Sequence, residues 1–182
     1  TNLAAHPGVE FVGVADIDTA RAVALADRHE TRALDVAEAL DPAVVDAVLI
    51  ASSTDTHAQH LRAAAAAGLA CLCEKPIDLD LQLATEVVSE VASGVGANAR
   101  PMMVDFNRRF DRDYAELARL AGDGALGTVE LVQMTTRGPV LPPLDYIAVS
   151  GGQMRDQTVH FFDLARWITG EDPESVLSLI HI

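Results

Sequence analysis

The chain has 182 residues, 49% of them apolar and 22% charged, a balance that supports a folded core and excludes a disordered segment. With 13 basic against 27 acidic side chains, the formal net charge is −14, which repels phosphate backbones and anionic lipid and argues against nucleic acid or membrane partners. No apolar run reaches the roughly 18–20 residues of a bilayer span, and no signal peptide opens the chain.

Cys71 and Cys73 are too few for a disulfide scaffold and read as reduced thiols of a cytoplasmic protein. Thr1 in place of an initiator methionine, and an apolar end at residues 177–182, make the chain read as a fragment lacking both ends.

In chain order, residues 9–15 (Val-Glu-Phe-Val-Gly-Val-Ala) form a short apolar run expected to be a buried strand, ending at Asp16. Asp18 can cap a helix from Thr19 to about His29, and Asp35 a short one through Leu40. Residues 44–51 read as a second strand, residues 52–55 as a turn, and 56–67 as a helix stopped at Gly68. A third strand, 69–73, is cut off by Pro76; a helix from about Asp80 to Ser93 and a strand at 101–106 follow. Strands alternating with helices imply βαβ units, a mostly parallel sheet, and a ligand edge at the carboxyl ends of the strands.

Beyond Phe110 the rhythm changes. A helix is expected at 113–121, a half-exposed strand at 128–136, a proline-rich loop at 137–146, a helix from about 153 to 168 and a strand at 174–182. The sequence thus divides into an α/β domain over 1–106, of the kind that binds dinucleotides, and part of an α+β domain over 107–182. Gly94-Val95-Gly96-Ala97-Asn98-Ala99 matches a dinucleotide fingerprint as a string, but it follows a helix and precedes a strand, so it reads as a helix terminator. A glycine turn for pyrophosphate is expected before Thr1.

Three features carry chemistry. The chain has twelve arginines and one lysine, Lys75, a tunable donor where arginine would serve for charge alone. Asp16, ending a strand with no arginine in the next four positions, can accept from an adenosine ribose and would repel the 2′-phosphate of NADP. Asp156, His160 and Asp163, spaced i, i+4, i+7, share one face of a helix and suit general acid–base work. A core histidine held by an aspartate is the plainer alternative, and a metal-dependent hydrolase or isomerase rests on that triad alone.

Glu74-Lys75-Pro76 after a buried strand, with Gly151-Gly152-x-x-x-Asp156-x-x-x-His160-x-x-Asp163 further on, resembles the Gfo/Idh/MocA family of NAD(P)-dependent oxidoreductases. The stretch 107–111 (Asn-Arg-Arg-Phe-Asp) and Pro142-Pro143-x-x-Tyr146 resemble its inositol 2-dehydrogenase branch. Asp105 departs from the glycine of many relatives.

The resemblance implies a catalytic set of Lys75, Asp156 and His160, with Lys75 on the reacting hydroxyl, His160 as proton acceptor and Asp156 orienting substrate and histidine. It implies a cofactor set of Asp16, Ser52, Thr54, His57, Glu74, Lys75 and Arg108, with NAD favoured over NADP and no metal. The expected partner is a cyclic polyol, foremost myo-inositol at its 2-hydroxyl, and the expected assembly a homotetramer. Another sugar or scyllo-inositol dehydrogenase, or a non-catalytic ligand or redox sensor of the same fold, remain the alternatives.

Overall fold

A computed structural model describes residues 2–93, 100–138 and 140–179, and these fall into two compact units, 1–105 and 106–182. The glycine string at 94–99 lies outside the described residues.

The first unit runs α1 (Asn2–Ala5), β1 (Gly13–Ala15), α2 (Thr19–Arg28), β2 (Arg32–Leu34), α3 (Val36–Ala39), β3 (Ala47–Ile50), α4 (Thr54–Ala66), β4 (Ala70–Cys73), α5 (Leu81–Ser93) and β5 (Met102–Val104). Every strand pairing is parallel, in two ladders ordered β1-β2 and β3-β4-β5. In a doubly wound sheet of order 3-2-1-4-5-6, β2 and β1 stand as 3 and 2, and β3, β4 and β5 as 4, 5 and 6. No described strand holds position 1, which is why the ladder divides in two.

β2 is absent from the sequence reading because Arg32-Ala33-Leu34 is too short to show a period. It also explains why β1 is shorter than residues 9–15: a ladder exists only where a partner runs beside it, and β2 has three residues. Gly13 is required there, since a Cβ would sit 2.8 Å from the carbonyl oxygen of Arg32 and 2.6 Å from Leu34 Cγ.

The helices start where side chains satisfy their first amides. Asp18 accepts from the Ala20 amide at 3.0 Å and starts α2. Asp35 and Glu38 exchange bonds with each other's amides at 2.8 and 3.0 Å, a complete capping box for α3. Asp80 accepts from the Gln82 amide at 2.8 Å and starts α5.

The core lies where α4 and α5 cover the three-stranded sheet: Ile50, Ala58, Leu61, Ala64, Leu69, Cys71, Cys73 and Val87 are buried together. Leu61 is wholly inaccessible, so Leu61→Ala would cost about 2–5 kcal/mol. α2 lies on β1 and β2 through Ala22 and Ala26, one turn apart.

The second unit opens with a 3₁₀ turn, Asn107–Phe110, and α6 (Arg112–Gly122), capped by Asp111, which accepts from the Asp113 and Tyr114 amides. A short helix α7 (Leu144–Val149) follows, then a π turn (Met154–Thr158) leading into α8 (Val159–Thr169), which ends at Gly170 in the left-handed region. Four expectations are corrected. The segment 128–136 forms no strand, and neither does the described part of 174–182, because alternation supplies a face while a strand also needs a neighbour's main chain. The loop expected through Tyr146 gives way to α7 from Leu144, started by Pro143. The helix expected from 153 begins with a π turn, whose i→i+5 bonding changes the angular spacing of its residues.

Among the described residues, no helix is long and apolar enough to cross a membrane.

Candidate active site

In the first unit the polar residues collect at the carboxyl ends of strands. Asp16 follows β1, is exposed, and accepts the Asp18 amide at 2.8 Å through one carboxylate oxygen. Ser52 follows β3; its Oγ accepts from Thr56 Oγ1 at 2.7 Å. Thr54 is the first residue of α4, whose N-cap residue, Ser53, makes no side-chain bond to the helix amides. Glu74 and Lys75 follow β4, half-buried, and the Glu74 carboxylate accepts the Lys75 amide at 3.3 Å.

His57 departs from its expected place lining the cofactor edge. It is 2% exposed, with Nδ1 at 2.8 Å from the Pro76 carbonyl oxygen and Nε2 at 3.0 Å from that of Ser52. Each ring nitrogen lies within hydrogen-bond distance of a main-chain carbonyl, and the one that carries the proton donates to it, so the buried imidazole packs between the Ser52 turn and the Lys75-Pro76 turn. The Cys71 and Cys73 thiols are not nucleophiles here: burial pushes both up, Cys73 to about 12, so they stay protonated at neutral pH.

In the second unit, Asp156 sits on the π turn and His160 on the first turn of α8, both half-buried. The third member of the expected face does not join them. Asp163, 8% exposed, accepts two bonds from Arg109, from Nη2 at 2.6 Å and Nε at 2.8 Å, which holds the Arg109 guanidinium above its usual range. Arg109 also lies 5.6 Å from the centre of the Trp167 ring, and Arg108 lies 4.3 Å over Phe161.

Among the described residues, no three His, Cys, Asp or Glu side chains gather to hold a metal ion. Tyr146 stands in the Pro142-Pro143-x-x-Tyr146 motif, where spacing alone assigns it no partner; its hydroxyl donates to Asp156 Oδ1 at 2.9 Å. The signal for it was the Gly151-Gly152 pair, which lets the chain double back between the two.

Residues 1–96 match the family profile described as an oxidoreductase family with an NAD-binding Rossmann fold, and residues 114–181 match the Gfo/Idh/MocA C-terminal domain. The chain belongs to the Gfo/Idh/MocA family. The fold class read from the sequence therefore stands, a Rossmann-type unit followed by the family's α+β domain. It is 45% identical over 168 residues to the inositol 2-dehydrogenase of Rhizobium meliloti, covering 91% of this chain and 49% of that protein. It is 40% identical over 141 residues to the myo-inositol 2-dehydrogenase of Thermotoga maritima, covering 78% and 41%. The crystal structure of a myo-inositol dehydrogenase from Corynebacterium glutamicum superposes with a TM-score of 0.81 at 34% identity, covering 92% of this chain and 49% of that one. The chain spans about half the length of the curated relatives it matches.

Proposed function

We propose that the protein containing this chain is an NAD-dependent dehydrogenase of a cyclic polyol, with the 2-hydroxyl of myo-inositol as its substrate group. The observation that carries this is the place of Lys75: the one lysine of the chain ends β4 at the carboxyl edge of a parallel sheet, where such folds bind ligands. The names of the two inositol 2-dehydrogenases at 45% and 40% identity support the substrate class.

The residues present fit NAD. The exposed Asp16 carboxylate suits a ribose diol, the Ser52 and Thr54 hydroxyls sit at the next strand end, and the first amides of α4 have no Ser53 side-chain cap. When bound, NAD supplies the hydride acceptor. His160 takes the hydroxyl proton of the substrate, Lys75 stabilises the negative charge that develops on that oxygen, and Asp156 orients the hydroxyl and the imidazole. Asp16 disfavours the 2′-phosphate of NADP by charge. The division of labour follows the two domains read from the sequence, cofactor on 1–106 and substrate on 107–182, in a cytoplasmic homotetramer.

The test is NADH formation by the full-length protein against myo-inositol, scyllo-inositol and glucose, repeated with NADP. Turnover is expected to be fastest with myo-inositol and NAD. A preference for glucose would move the substrate to a pyranose, and equal efficiency with NADP would remove the role given to Asp16.

A further inference from the structure

Residues 146 and 156 are ten positions apart, about 15 Å along a straight helix at 1.5 Å per residue. In the structure the Tyr146 hydroxyl is 2.9 Å from Asp156 Oδ1. The approach is built by the intervening chain. α7 starts at Pro143, whose carbonyl accepts the Ile147 amide at 3.0 Å, and closes where the Ser150 amide reaches the Tyr146 carbonyl at 2.9 Å. Ser150 Oγ then accepts the Gly152 amide at 3.3 Å. Gly151 and Gly152 follow at φ +77° and +78°, a left-handed pair that side chains rarely adopt, and the π turn carrying Asp156 comes directly after. Two motifs of the sequence, Pro142-Pro143-x-x-Tyr146 and the double glycine, thus serve one contact.

We propose that Tyr146 is a positioning residue for the reaction: its hydroxyl fixes the rotation of the Asp156 carboxylate, so that Asp156 meets substrate in one orientation. This rests on the reading of Asp156 as part of the catalytic set. The phenol is suited to the task because it stays a donor. Its bond to Asp156, its partial burial and the carboxylate's charge together hold it above the ordinary tyrosine range.

The test uses Tyr146→Phe, Asp156→Ala and the double variant of the full-length protein, each checked by thermal melt, with rates of myo-inositol oxidation. Tyr146→Phe keeps the ring and removes the donor. It is expected to lower kcat/KM for the polyol about tenfold, to leave the KM for NAD unchanged, and to cause no further loss in the Asp156→Ala background. A merely structural tyrosine would cost the same factor in both backgrounds, and that result overturns the proposal.

A second readout needs no activity. The phenol titration, taken as the 295 nm difference between native protein and Tyr146→Phe, is expected to move down toward the ordinary value of about 10 when Asp156 becomes Ala. An unmoved titration overturns the contact itself. If Asp156→Ala keeps full turnover, the catalytic reading of Asp156 falls and takes the proposal with it. That outcome differs from failure of the proposal alone, in which Asp156→Ala lowers turnover and Tyr146→Phe keeps the wild-type rate.

Discussion

Lysine and arginine differ most where a donor must share a proton or fit beside a reacting atom, and position 75 is such a place. Lys75 is half-buried, its amide bonded to the Glu74 carboxylate and the following Pro76 carbonyl 2.8 Å from His57. Arginine there is larger and holds its proton more tightly. Lys75→Arg in the full-length protein is expected to melt normally and lose on the order of 10²-fold in turnover. Near-normal NADH formation would return Lys75 to a plain surface charge. Cys73 supplies a pH test of the same kind. Its folded thiol is raised to about 12, first by burial, then by Cys71 and Glu74. The folded state therefore binds that proton more tightly than the unfolded chain, whose thiol titrates near 8.5. The contribution is whole below about pH 8.5 and is lost as pH rises toward 12, by up to about 1.4 kcal/mol per pH unit. Urea midpoints from pH 8 to 11 are expected to fall, with a shallower slope in Cys73→Ala. A slope identical in both proteins would show the thiol uncoupled from folding. Lys75 was legible because composition isolates it; the tether made by His57 was not, because it depends on where two loops run.

At the scale of elements, the 3₁₀ turn at 107–110 acts as a clamp on α8. Two neighbouring arginines reach it in different ways, Arg108 over the ring of Phe161 and Arg109 gripping Asp163 with two bonds. Those residues lie one and three positions after His160 on the same helix, so the clamp fixes the segment that carries it. Arg109→Ala leaves the Asp163 carboxylate buried without this partner and is expected to destabilise by on the order of 2 kcal/mol. Arg109→Lys should recover only part of that, since an ammonium lacks the planar fork that spans both oxygens. Urea unfolding measures both, and a full rescue by lysine would show that charge alone is at work. The sequence pattern placed Asp163 on a helix but assigned it to the chemistry, because spacing shows which residues share a face and not which partner arrives from another element. Apolar runs and capping aspartates located α2, α3, α5 and β4 within a residue or two, since their causes are local. β2 and the segment 128–136 escaped for opposite versions of one reason: strands are made by their neighbours, so three residues with a partner form one and nine alternating residues without a partner do not.

For the whole chain, the two units hold unequal shares of the apolar core. Among the described residues, the buried hydrophobic side chains of the second unit are Leu164 and Ile168; the rest, from Ala22 to Val87, belong to the first. The second unit instead exposes large apolar groups, among them Leu131, Leu141, Leu144, Val176, Leu177 and Leu179. Stability follows buried apolar area, at roughly 25 cal/mol per Å², so the 182-residue chain is expected to unfold in two stages, residues 106–182 first. Proteolysis in the native state should cut first within the segment 128–138, where no ladder protects the main chain. The two stages can be told apart by variants that act on one unit each. Leu61→Ala, deep under α4, should lower the later transition by about 2–5 kcal/mol and leave the earlier one in place. Asp163→Asn, which weakens the bond to Arg109, should lower the earlier transition and leave the later one. Trp167 is the sole tryptophan and lies in the second unit, so its fluorescence follows the first stage while circular dichroism follows both. A single cooperative transition, with the two probes coincident and both variants moving it, would show that the units fold as one body despite their unequal cores.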